Sequence, residues 1–148
     1  MTKMEKHLLD TKTYWTVCVS GDPLGQTYTG CSYSQKQLKA PGTLPTEAAA
    51  RRVSKAFKAW ILKKYPEKGD PKGEYFVAFA DGPCKVKLLR RPESETIRRK
   101  NGNHFKDQGE AHQASLALAW LCAKERERFE NGVQYAQAGG QERPDGSS

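Results

Sequence analysis

Tyr14-Trp15-Thr16-Val17-Cys18-Val19-Ser20-Gly21-Asp22 and Tyr75-Phe76-Val77-Ala78-Phe79-Ala80-Asp81-Gly82-Pro83 carry one pattern twice: an aromatic, alternating run that ends in a glycine turn. Alternation of large apolar with smaller or polar residues is the period-2 signature of a half-buried strand. Each run precedes a helical stretch. The first opens at Glu47-Ala48 and stops at Gly69; the second opens at Glu110-Ala111 and stops at Gly132. Recurrence of a whole supersecondary unit points to an internal repeat. Because identity between the halves is low, convergence on one strand-turn-helix grammar stands beside duplication as an explanation. Either way the expected fold is α+β: two sequential strand-strand-helix units, with an antiparallel sheet packed by two helices.

Working outward, residues 1–12 are polar with a short Leu8-Leu9 pair and are expected to be irregular or a single helical turn. The first unit spans 13–69. Its second strand is expected at Gln26–Ser34, with Tyr28 and Cys31 or Tyr33 facing the core, and a loop at Gln35–Pro45. Thr46 caps the first helix, whose Ala49, Val53, Ala56, Phe57, Trp60 and Ile61 form an apolar stripe opposite Arg51, Lys55 and Lys58. The second unit spans 70–132 and is expected to share the first unit's core. Its strands are read at Glu74–Ala80 and Cys84–Arg91, with Thr96–Lys100 returning as a ribbon and Asn103–Lys106 as a short last strand. Asp107 caps the second helix, with Glu110 three positions on as a capping box. That helix is apolar nearly all round, so it is expected either between a sheet and another helix or in a homodimer interface. Residues 133–148 read as a disordered tail.

The charge is uneven. Of 25 Lys and Arg and 17 Asp and Glu (net +8), residues 51–106 hold 16 cations against 6 carboxylates, leaving 9 against 11 elsewhere. Such clustering is the electrostatic footprint expected of a phosphate-binding surface. The densest part is Lys85, Lys87, Arg90 and Arg91 on one strand with Arg98, Arg99 and Lys100 on the returning one. Repeated cations on a stiff ribbon match phosphate spacing, each neutralised phosphate releasing counterion. Arginine adds a bidentate fork. Asn103 and His104, at the ribbon's foot, are candidates for sugar or base contacts, and Arg51, Lys55 and Lys58 for an extension of the footprint. A charged face that keeps a sheet edge soluble is the alternative use of these residues. Tyr14, Tyr28, Tyr33 and Tyr75 are candidate stacking platforms for bases, although strand alternation favours core packing for most of them.

No Walker loop, nucleophile elbow, zinc-protease or dinucleotide fingerprint occurs, so no enzyme, cofactor or metal site is expected. Cys18, Cys31, Cys84 and Cys122 show no zinc-like spacing and read as structural. The opening residues lack a signal-peptide pattern and no apolar run reaches membrane-span length, which points to a cytoplasmic protein with no membrane partner.

Residues Tyr75–Phe129 resemble the three-strand-plus-helix modules of AP2-type domains and of phage integrase arm-binding domains. The resemblance rests on the aromatic first strand, the basic ribbon, Asn103-His104-Phe105-Lys106 and the helix opening at Glu110-Ala111. Thr13–Gly69 is similar in order, with a longer loop. The resemblance implies a sheet that enters the DNA major groove and would implicate Lys87, Arg90, Arg98 and Lys100. The Arg90–Arg99 excursion departs from that family. A double-stranded RNA-binding module shares the short Phe-Lys strand and Ala-rich helix, but its Lys-Lys-x-x-Ala helix start is missing here. Two functions follow as expectations. One is a non-enzymatic nucleic-acid-binding protein, with DNA favoured over RNA. The other is a phage- or plasmid-type inhibitor or adapter whose basic face meets an acidic surface of a host protein complex.

Overall fold

Trp15 and Leu44 exchange both backbone hydrogen bonds, at 2.9 and 2.7 Å, and Phe76 and Phe105 do the same at 2.9 and 2.8 Å. Both members of the second pair lie 61 positions beyond their counterparts in the first. The computed structural model describes residues 2–17, 22–66, 75–78, 86–89 and 102–132. Along the chain these form α1 (Lys3–Thr11), β1 (Thr13–Val17), β2 (Pro23–Thr27), α2 (Ser32–Leu38), α3 (Glu47–Lys64), β3 (Tyr75–Val77), β4 (Lys87–Leu89) and α4 (Gln108–Glu130). β1 pairs antiparallel with β2, and β3 with β4, so each unit is a hairpin with a bridging residue on its other edge and a helix after it.

The same 61-residue offset carries into the helices. Thr46 Oγ1 accepts from the Ala49 N–H at 3.0 Å, and Asp107 Oδ1 accepts from the Glu110 N–H at 2.8 Å. The cap residue, not the Glu-Ala pair, sets where each helix begins. Glu47 is the first residue of α3, whereas Glu110 is the third of α4. Aligning the two Glu-Ala pairs therefore displaces the helices by one half-turn. With the caps superposed, the buried residues of α3, Ala50, Val53, Phe57 and Ile61, fall on Ala111, Ala114, Leu118 and Cys122 of α4, all buried. These eight side chains join Leu44, Ala78 and Phe105 in one apolar cluster, so the two units share a core. The helices differ in length, 18 residues against 23, because Pro66 follows the C-cap of α3 while α4 runs on to Gly132 at φ 73°.

Two tie points show that α3 and α4 run antiparallel. Near the start of α3, Arg52 reaches Glu125 near the end of α4, and at the end of α3 the Tyr65 ring meets Phe105, just before α4, at 5.7 Å.

Two stretches differ from expectation. Residues 3–11 are a full helix. A helix this short is marginal alone, but α1 docks Met4 and Leu8, one turn apart, into a second cluster with Tyr14 and Tyr28. The Glu130 carboxylate then accepts from the Lys3 and Met4 N–H groups at 3.1 and 2.9 Å, placing negative charge at the helix's positive pole. The expected strand at 26–34 is instead the end of β2, a turn and α2. Gly30, at φ 82°, and the Ser34 hydroxyl, which accepts from the Thr29 N–H, turn the chain into that helix. Arg126 closes it, donating to the Leu38 and Ala40 carbonyls at 2.7 Å each. Tyr28 is buried as expected, while Cys31 and Tyr33 are exposed because they sit on the opening turn of α2. Among the described residues no helix is long and apolar enough to cross a membrane.

Candidate nucleic-acid interface

In the second hairpin, Tyr75 pairs with Leu89, Phe76 with Leu88 and Val77 with Lys87. Phe76, Ala78 and Val86 pack on the shared core beneath the helices. Strand alternation therefore aims Lys87, beside Val77, away from the helical layer. Lys87 is exposed, while Val77 is fully buried. The centre of that face is thus covered, and the cation stands clear of it. Lys85, Arg90, Arg91, Arg98, Arg99 and Lys100 lie outside the described residues.

In the first hairpin the position matching Lys87 is Leu24, opposite Thr16. Its outward side is not a basic surface, because α1 covers it at Tyr14. The repeat thus keeps one sheet face for packing the amino-terminal helix and carries its exposed lysine on the other.

Asn103 and His104 do not stand at the surface. They are 1% and 3% exposed. Asn103 Oδ1 accepts from the Ala78 N–H at 2.8 Å, tying the segment before α4 to the end of β3. A buried backbone donor needs such a partner, so Asn103 serves the sheet-to-helix junction, and His104 is buried next to it in the chain. Tyr14 and Tyr28 are likewise in the core, where burial pushes their hydroxyl pKa values up, and they are closed to base stacking. Tyr33 is 65% exposed and open to solvent.

On α3, the Arg51 guanidinium donates to its own helix's Glu47 at 3.1 and 2.6 Å. Lys55 and Lys58 make no ion pair among the described residues. Arg51 and Lys55 lie on the exposed side of α3, away from Ala50, Val53, Phe57 and Ile61 and so from the shared core, while Lys58 stands half-buried on the helix flank. Lys87 and the pair Arg51 and Lys55 therefore point away from the shared core on different layers, Lys87 on the sheet and the other two on α3. A core-facing helix and a core-facing sheet turn their polar sides in opposite directions, and the remaining cations of the expected footprint, Lys85, Arg90, Arg91, Arg98, Arg99 and Lys100, lie outside the described residues.

Sequence periodicity left two features unplaced. One is a cavity of about 560 Å³ where the ends of α1, α2 and α4 meet, with Glu5, Glu127 and Glu130 facing Lys39 and Arg126. The other is the outward side of α4, where Leu116 and Trp120 are exposed instead of buried. Comparing residues 61 apart in the two halves is the signal that exposes the second feature. No family model, curated protein or solved structure matches this chain.

Proposed function

We propose that this chain is a small non-enzymatic nucleic-acid-binding protein that contacts the phosphates of duplex DNA through the basic stretch from Lys85 to Lys100. The observation that carries the reading is charge segregation. Between residues 85 and 100 stand seven Lys or Arg and only Glu93 and Glu95, and the exposed Lys87 is directed away from the helices. Repeated cations without interspersed carboxylates favour a polyanion by counterion release. With Val77 buried beside Lys87, phosphate contact fits this face better than insertion of the sheet's centre into a groove. The α3 cations stand apart from this contact.

Mobility-shift titration of a DNA duplex at several salt concentrations tests the proposal. Binding is expected to weaken steeply with salt, and replacing Arg90, Arg91, Arg98 and Arg99 together by Ala is expected to abolish the shift with the far-ultraviolet circular dichroism unchanged. A quadruple variant that binds as well as the parent refutes it.

A further inference from the structure

The backbone of the first hairpin leaves one edge open. Trp15 commits both its N–H and its C=O to Leu44, so Trp15 and Gly25 face each other without mutual hydrogen bonds, and Gly25 turns its own N–H and C=O away from β1. The same parity turns the N–H and C=O of Thr27 outward, whereas the Tyr28 N–H points inward and donates to the Lys12 carbonyl at 3.0 Å. Among the described residues no group pairs with the outward N–H and C=O of Gly25 and Thr27, and both residues are exposed. The open stretch is closed at both ends. Pro23 has no N–H to offer, and Thr29 gives its N–H to the Ser34 hydroxyl at 3.1 Å. Free donors and acceptors thus stand together at two positions, symmetric about Gln26. Exposed edges are commonly guarded by charge. β2 carries no charged residue from Pro23 to Thr27, whereas β4 in the second unit carries Lys87.

We infer that β2 pairs with β2 of a second copy of the chain, antiparallel across a two-fold axis at Gln26. In that register Gly25 of each copy faces Thr27 of the other, and four N–H···O=C bonds form with no free group left over at these positions. Side chains select this occupant. Gly25 shares a sheet face with Trp15, whose ring lies 3.3 Å from where a Gly25 Cβ would stand, and Trp15 packs on the shared core. α3 packs against both β1 and β2. A strand added beyond β2 therefore brings its side chains at the positions facing Gly25 and Thr27 toward the helical layer, where small, uncharged residues fit. β2 itself supplies Thr27 and Gly25 at those positions. On the other face the same register sets the 45% exposed Leu24 of each copy diagonally beside Gln26 of the other. Net charge does not forbid the contact, because residues 13–27 hold a single charged residue, Asp22, and no cation. The inference concerns the first hairpin and is independent of the nucleic-acid reading, which concerns residues 85–100.

The test is sedimentation of the full chain, free of nucleic acid, from about 5 to about 500 µM, since an edge-to-edge contact falls below the standard interface size and is expected to associate with a midpoint of about 100 µM. Amide exchange at Gly25 and Thr27 is expected to slow as the concentration rises through that midpoint. Thr27→Pro removes the outward donor and leaves the β1–β2 ladder intact, because that N–H takes no part in it. With two of the four bonds between copies lost, it is expected to weaken association about tenfold or more. A charge exchange at Gln26 tests the two-fold axis itself. Gln26→Lys and Gln26→Glu each set like charges opposite one another and are each expected to weaken association about threefold or more, whereas an equal mixture of the two variants is expected to recover the parent's association. Far-ultraviolet circular dichroism and urea midpoints establish that each variant is folded. A chain monomeric throughout this range overturns the inference, as does a dimer that Thr27→Pro leaves unweakened or a loss at Gln26 that mixing does not recover. So does a dimer that Trp120→Ala dissolves, since its interface would then lie on α4.

Discussion

Arg52 on α3 grips Glu125 on α4 with two hydrogen bonds, Nε to Oε2 at 3.1 Å and Nη2 to Oε1 at 3.0 Å, across 73 residues of chain. The pair spans the two units at the seam where their helices pack. The Glu125 side chain is 11% exposed and that of Arg52 37%, which puts the pair between a surface ion pair and a buried one. Surface pairs contribute little, whereas removing one partner of a buried pair strands the other.

Replacing Arg52 by Ala is therefore expected to cost about 1–2 kcal/mol, more than an isolated surface pair. A double-mutant cycle with Glu125→Gln in urea denaturation measures the coupling, expected at about 1 kcal/mol. Strict additivity of the two single substitutions would show that the contact does not join the units energetically.

The capping residues lend the repeat a second test. Thr46→Ala and Asp107→Ala each leave an N–H at the start of a core helix without its side-chain acceptor. Each is expected to destabilise by about 1 kcal/mol, with effects that add, because cap losses are of that size and the two sites share no partner. Chemical denaturation of both single variants and the double variant checks this. A destabilisation confined to one unit would argue against a shared cooperative core.

Asn103→Ala removes the acceptor for the buried Ala78 N–H. The cost is expected at about 2–3 kcal/mol, the size of a lost buried hydrogen bond with one partner stranded. Measured on folded protein, nucleic-acid affinity is expected to stay within twofold of the parent. A large loss of affinity without loss of stability would return Asn103 to the contact surface.

Cys31 offers a check on the turn into α2. Hydrogen bonds from the Thr29 side chain and from Ser34 outweigh a small opposing effect of burial and hold its pKa down at about 7, below the ordinary thiol value. Only the thiolate alkylates, so the iodoacetamide rate at Cys31 is expected to rise through a midpoint near pH 7. Removing a donor to the thiolate raises its pKa, so Thr29→Val is expected to move that midpoint to higher pH. Mass spectrometry of the labelled peptide reads both. Cys122, buried in the core, is expected to label only on unfolding.

Local chemistry makes much of this fold legible in the amino-acid sequence. Alternation places strands at Thr13–Val17 and Tyr75–Val77, Thr46 and Asp107 cap the helices, and of the expected stripe Ala49, Val53, Phe57 and Ile61 are buried, Trp60 is partly buried and Ala56 is exposed. Long-range partners decide what is not legible. α1 depends on Glu130, and α2 is closed by Arg126, 88 residues away from Leu38. The inward turn of Asn103 goes with its bond to Ala78, distant in sequence and adjacent in space. Nor does periodicity separate an apolar face packed against the chain from one left open, so Leu116 and Trp120 read like core until the neighbouring helix is placed beside them. The division of the described cations between two layers needs the layer order, which a count of charges does not contain.

A matched pair of triple variants addresses the division of surfaces most directly. Lys85, Lys87 and Arg90 are changed together to Gln in one protein, and Arg51, Lys55 and Lys58 in the other, so that both lose three positive charges. Duplex-DNA affinity is read by anisotropy as a function of salt. The first variant is expected to bind at least about tenfold more weakly and to show a shallower dependence on salt, by about 0.9 in the log–log slope for each phosphate no longer neutralised. The second is expected to track the parent within about twofold, the effect of net charge alone at physiological screening. Equal losses in both variants, or a larger loss in the α3 variant, would contradict a nucleic-acid contact seated on the sheet side.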